Sequence, residues 1–191
     1  MASVQERPAV VTPERFASGL TYEEYMGRIK VNKDQFESNY QAAPATEDDV
    51  AFFKKVIAQR GGLRVLAIAE DWCPDVYRGL PIMAKIAQLS GIELRVFPRD
   101  ENLDIMDQYL NQGQFRSVPT FACFDGKLNP IGTWHERPRA ANETMAKMRA
   151  DLEKLKLSEE DARAEYRKRI QPEWDNWRRE TVRELRELLT Q

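Results

Sequence analysis

Two thiols and one imidazole, Cys73, Cys123 and His135, are the chain's readiest nucleophiles and soft metal ligands. Cys73 sits in the stretch EDWCPDV (70–76), directly after the apolar run VLAIA and directly before a helical pattern that opens on Pro74. A cysteine at that junction faces the unpaired N–H groups and the positive end of a helix, and both favour thiolate, the nucleophilic form. Asp75 acts in two senses, since its carboxylate suits a helix start but opposes a thiolate beside it. No strongly acidic thiol is therefore expected. The position three residues on, where a second thiol would close a C-x-x-C pair, is Val76. Glu70 and Asp71 could tune the thiol, although acids ahead of a helix are ordinarily there for the dipole. Trp72 either shields the sulfur or packs. Arg78 reads as a surface residue, and His135 as a turn or strand-end residue. A single histidine leaves little material for a His-based metal centre or a Ser-His relay, so neither a metal nor a cofactor is expected.

The elements that must position Cys73 follow from periodicity and punctuation. Residues 1–15 read as an irregular lead-in. Residues 21–40 read as one helix, with Thr21 and Glu24 as a capping box. Residues 43–62 hold a second helix, capped by Thr46 and ended by Gly61-Gly62. The period then changes: 63–69 is a buried strand, 73–91 a helix that Pro81 should kink, and 92–98 a strand. Residues 101–115 read as a helix, 118–124 and 128–134 as strands joined at Asp125-Gly126-Lys127, and 142–156 as a helix. A helix starts at Ser158, and Pro172 opens another in which Trp174, Trp177, Thr181, Leu185 and Leu188 form a stripe expected to pack on the domain.

The order β-α-β-α-β-β-α over 63–157, with Trp72-Cys73 at the first strand-to-helix junction, resembles the thioredoxin superfamily. Pro81 lies eight residues after Cys73, where thioredoxins carry a helix proline, and RSVPT (116–120) resembles the segment whose proline is cis in that family. FDGK (124–127) matches the hairpin that follows. The expected fold is α/β, a thioredoxin-like βαβαββα core (63–157) with a helical N-terminal extension (1–62) packed on it and a C-terminal helical extension (158–191). The resemblance implies a catalytic Cys73 and a substrate-binding surface at Trp72, Val118 and Pro119, where the backbone before the proline pairs with an extended substrate. The chain departs from the family at Val76 and at Ala67, which stands where thioredoxin has a buried acid. Cys123 cannot replace the missing thiol. It lies four residues beyond Pro119, roughly 13 Å along a strand, against a reach of about 7 Å between bridged Cα atoms.

With 29 basic and 31 acidic residues the formal net charge is −2, which argues against a nucleic acid or an anionic membrane as the dominant partner. No segment has the length and apolarity of a membrane span, and the N-terminus lacks secretory-signal features, so the chain reads as cytoplasmic with both cysteines reduced. Two functions follow. One is a single-thiol oxidoreductase whose partners are proteins or low-molecular-weight thiols and disulfides. The other is a redox-inactive thioredoxin-fold binding or scaffold module, with self-association through the terminal helices. Glutathione-transferase chemistry also uses Cys-Pro and Val-Pro pairs. It fits poorly here, since only about 35 residues follow the core, too few for the helical domain that chemistry would require.

Overall fold

The computed structural model describes residues 10–190; the N-terminal part of the lead-in, 1–9, and Gln191 lie outside the described residues. β1 (Leu63–Ala69), β2 (Glu93–Pro98), β3 (Thr120–Asp125) and β4 (Pro130–His135) form one sheet in the order β2-β1-β3-β4. β1 runs parallel to β2 and antiparallel to β3, and β3 runs antiparallel to β4. β1 is central and covered on both faces, which is why LRVLAIA is a nearly continuous apolar run rather than an alternating one. The expected α/β fold is present, with α5 (Pro74–Ser90) crossing from β1 to β2 and α7 (Arg139–Lys154) following β4.

The segment before the sheet departs from its expected outline in two places. Residues 10–15 are not all irregular. Thr12 accepts from the Arg15 N–H at 3.1 Å, Pro13 takes the first helical position, and α1 spans Pro13–Ala17. The expected single helix over 21–40 is two, α2 (Tyr22–Arg28) and α3 (Lys33–Ala42). Between them Ile29 is extended and Asn32 is left-handed (φ 59°). The break is held from outside. The Asp71 carboxylate accepts from the Lys30 N–H (2.7 Å) and the Val31 N–H (3.3 Å), and the Asn32 side chain donates to the Asp71 carbonyl (2.9 Å). α4 (Glu47–Arg60) begins with a Thr46/Asp49 capping box and ends on left-handed Gly61.

The expected helix over 101–115 shrinks to a short 3-10 turn at Arg99–Glu101 and α6 (Leu103–Met106). The chain then folds back on itself, with Asn111 and Phe115 exchanging backbone hydrogen bonds at 2.8 and 3.0 Å. Gln112 (φ 54°) and Gly113 (φ 70°) are both left-handed, a conformation no α-helix interior accepts. Arg116 clasps Asp107 through two hydrogen bonds, at 2.7 and 2.9 Å, and closes the loop.

The tail holds α8 (Glu159–Ile170), a 3-10 turn at Gln171–Glu173 and α9 (Trp174–Leu189). α9 lies across the sheet and the helices. Val182, Leu185 and Leu189 join the main core, while Trp177 packs with Ala141 and Ile170 in a smaller cluster. Its buried Glu184 accepts from the Trp134 indole on β4 and from the Arg139 backbone, each at 2.8 Å. Arg186 reaches Asp49 at 2.6 Å, so α9 also clasps α4. Phe16, Tyr25, Phe36, Phe53 and Val56, all from the segment before β1, belong to the same hydrophobic core as β1 and α5.

Candidate active site

β1 ends at Ala69, and Glu70–Trp72 turn the chain so that Cys73 becomes the N-cap of α5, with an extended backbone (φ −85°, ψ 123°). The Cys73 carbonyl accepts from the Val76 N–H at 3.0 Å and the Tyr77 N–H at 3.2 Å. The half-buried thiol lies 3.5 Å from the Val118 carbonyl oxygen and donates to it. The Val118–Pro119 peptide bond is cis, and both residues are buried. Thr120 steadies this loop from below, its hydroxyl donating to the Ser117 carbonyl at 2.8 Å and pairing with His135 Nδ1 at 3.0 Å. Thr120 and His135 face one another across β3 and β4.

Burial pushes the Cys73 thiol above the ordinary cysteine value. Against that, the Val76 and Asp75 backbone N–H groups favour the thiolate. The two nearby charges oppose each other, the Asp75 carboxylate raising the thiol and Arg137 lowering it. Asp75 is engaged by two guanidiniums, Arg137 in a very short contact and Arg78 at 3.4 Å. Asp75 therefore restrains the thiol and also occupies the cation that would activate it. Replacing Asp75 by Asn removes the repulsion and frees Arg137. Alkylation of Cys73 followed against pH should show its midpoint move down and its rate near neutrality rise several-fold; an unchanged profile would show that Asp75 does not reach the sulfur.

The other residues singled out in the sequence divide by location. Trp72 is about half exposed, and Arg99 lies over its ring at 5.1 Å, so it is a surface ring beside the thiol rather than a core residue. Phe115 is exposed to a similar degree. Glu70 accepts from the Asp100 N–H at 2.9 Å, and Asp71 caps the break between α2 and α3. Both acids are thus engaged with neighbouring loops. Arg78 is not the surface residue its position suggested, since it is ion-paired to Asp75 and stacked over Trp174 at 5.2 Å. Val76 and Ala67 are fully buried. Cys123 is buried on β3 opposite Val65, its thiol pushed up to about 12 by burial, and both cysteines are free. Among the described residues no cluster of His, Cys, Asp and Glu could hold a metal ion.

Sequence reasoning missed Arg137 and Gly79. Arg137 stands 62 residues from the acid it pairs with, and no local spacing links them. Gly79 lies on the face of α5 that meets the cis-proline; a Cβ there would come 3.2 Å from Pro119 Cγ and 3.8 Å from the Trp134 ring.

A thioredoxin family model matches residues 19–149, more than half of the chain. The chain belongs to the thioredoxin family. Solved structures agree on the fold. This thioredoxin-like protein is similar to a protein of unknown function from Pseudomonas aeruginosa, at a TM-score of 0.66 and 16% identity over 92% of this chain and 94% of that one. It is also similar to an HIV epitope-scaffold, at a TM-score of 0.65 and 18% identity over 93% of this chain and 96% of that one. At such identities the likeness speaks to the fold alone. No curated protein matches the chain. No helix among the described residues is long and apolar enough to cross a membrane.

Proposed function

We propose that this thioredoxin-like protein exchanges thiols and disulfides through Cys73 alone. The observation that carries the reading is the Cys73 sulfur held 3.5 Å from the Val118 carbonyl, beside a cis Val118–Pro119 bond. An extended substrate that paired with the backbone before Pro119 would bring its own disulfide to that sulfur. The Cys73 thiolate attacks one sulfur of the substrate disulfide. A mixed disulfide forms on Cys73 and the other substrate sulfur leaves as a thiolate. With Val76 at the resolving position, an external thiolate must attack the substrate's sulfur in the mixed disulfide. That attack returns Cys73 as thiolate and leaves the substrate joined to the external thiol. Full reduction takes a second external thiol. The partners in this reading are a disulfide-bearing protein or small molecule and a low-molecular-weight thiol, in a reducing compartment such as the cytoplasm.

Incubating the protein with a small peptide disulfide should give one adduct per chain, mapped to Cys73 by peptide mass and released by added monothiol. Cys123→Ser should leave the adduct in place, and Cys73→Ser should remove it. A folded protein that takes no adduct at Cys73 would contradict the proposal.

A second reading, a thioredoxin-fold binding or scaffold module without redox chemistry, draws on two features, the buried Val76 and the upward push on the Cys73 thiol. Trp72, half exposed beside the cis-proline loop, would then be a contact surface. Under that reading Cys73→Ser keeps the binding partner; under thiol exchange the partner is lost with the adduct.

A further inference from the structure

Behind Asp75 a cleft opens between α5, the turn from β4 to α7, and α9. Three guanidiniums and three indoles line it; the Trp134 indole donates to Glu184, which leaves five, those of Arg78, Arg137, Arg178, Trp174 and Trp177. Each of the five carries a buried N–H that finds no acceptor in the protein. These are Nε of Arg78, Arg137 and Arg178, and Nε1 of Trp174 and Trp177. They make up five of the nine such side-chain atoms among the described residues, gathered at one place on three elements far apart in sequence. A buried donor without an acceptor is destabilising, so a cluster of them is expensive to keep unless something answers it.

The acceptors the protein supplies are already engaged on other nitrogens. Asp75 takes Nη atoms of Arg78 and Arg137, Asn39 takes Nη1 of Arg178 at 3.0 Å, and exposed Asp175 takes its Nη2. Glu136 stands 3.5 Å from Arg137 Nη1, and Asn142 accepts from the same nitrogen at 3.1 Å. The cleft encloses about 20 Å³, room for one water-sized body. One water accepts two hydrogen bonds and cannot answer five donors. Within the lining three arginines stand against Asp75 and Glu136, and the third, Arg178, has its own partner in the solvent-exposed Asp175. Gly79, Ile82, Trp134 and Pro138 supply the apolar remainder of the lining, and Asn39 and Thr181 add polar side chains.

We propose that this cleft binds one halide ion. A halide accepts from several N–H donors at once and carries the charge that guanidiniums favour. The binding does not depend on Cys73 chemistry. It has a consequence there, because Arg137 is shared with Asp75. An anion beside Arg137 offsets the charge that favours the Cys73 thiolate, so occupancy slows alkylation of Cys73.

The test is a titration of the full chain with sodium chloride, sodium bromide and sodium acetate at constant ionic strength, followed by tryptophan fluorescence. A saturable, one-to-one change is expected. Trp174→Phe, which keeps a ring but removes one donor, and Arg178→Gln should each weaken it by at least about tenfold, the worth of one charge-assisted hydrogen bond. Chloride and bromide should bind, and acetate, too large for the cleft, should not; acetate binding as tightly as chloride would overturn the proposal. Bromide located by anomalous scattering between Arg178 and the two indoles gives a readout that needs no variant. A fluorescence change that merely tracks salt without saturating, variants that titrate like the parent, or bromide bound elsewhere as an adventitious ion only would overturn the proposal.

Discussion

Val76→Cys is expected to give the protein an insulin-reducing activity at least about tenfold above that of the parent, which should be weak or nil. Residue 76 occupies the first turn of α5, and its N–H already bonds the Cys73 carbonyl at 3.0 Å. That turn holds the two Cα atoms within the about 7 Å a disulfide tolerates. A thiol in the same turn attacks a mixed disulfide on Cys73 at an effective concentration far above that of any free thiol, which is the source of the tenfold figure. Valine at this position is fully buried, so the exchange for the smaller cysteine costs about 1 kcal/mol in lost packing. The gain should stop short of a two-thiol enzyme's full rate, because Ala67 offers no acid to move the proton of a buried second thiol. Turbidity from insulin reduction measures the rate, and loss of two hydrogens on oxidation reports the new bridge. A folded variant that forms the bridge yet reduces no insulin would show that Cys73 does not meet substrate disulfides.

Phe36→Ala should destabilise the whole chain by about 3–5 kcal/mol, the range for truncating a fully buried phenylalanine. Phe36 belongs to α3, in the segment before the sheet, yet it is fully buried and meets Tyr25 and Tyr77 edge-on, with ring centroids at 6.0 and 6.3 Å. Tyr77 lies on α5, one turn beyond Cys73, so α3 packs directly behind the candidate site. For a chain of this length the loss corresponds to a fall of about 6–20 °C in the melting temperature. Calorimetry should show one transition moved down as a unit. A separate low-temperature transition, or a loss under about 1 kcal/mol, would mean that the N-terminal helices are an appendage rather than part of the core.

What could be read from the sequence was local. The central strand is seven apolar-rich residues between glycines and a turn, and its limits, Leu63 and Ala69, follow from composition alone. The place of Cys73 at a strand-to-helix junction followed from Pro74 and the change of period. The α1 helix carried a readable signal, a threonine cap followed by proline at the first helical position, which the neighbouring prolines obscured. The break after α2 carried none. Residues 29–32 are compatible with helix, and the chain leaves it because the Asp71 carboxylate, some 40 residues away, takes the Lys30 and Val31 N–H groups. The loop after α6 could have been suspected from Gln112-Gly113, but its closure depends on Arg116 meeting Asp107. At the site the same division holds. Arg137 reaches the thiol's surroundings by pairing with Asp75, a tertiary contact with no sequence period, and Arg78 is drawn inward by that acid and by Trp174.

If thiols and disulfides exchange at Cys73, it must be a lone, reachable thiol whose ionisation is held back by its surroundings. Reaction with an aromatic disulfide, followed by thione release against pH with the modified peptide identified, tests it most directly. One equivalent should be released per folded chain, all of it from Cys73. The midpoint should lie above the ordinary cysteine range, and Cys123 should react only on unfolding. A midpoint below neutrality, or modification of Cys123 ahead of Cys73 in the folded protein, would contradict it.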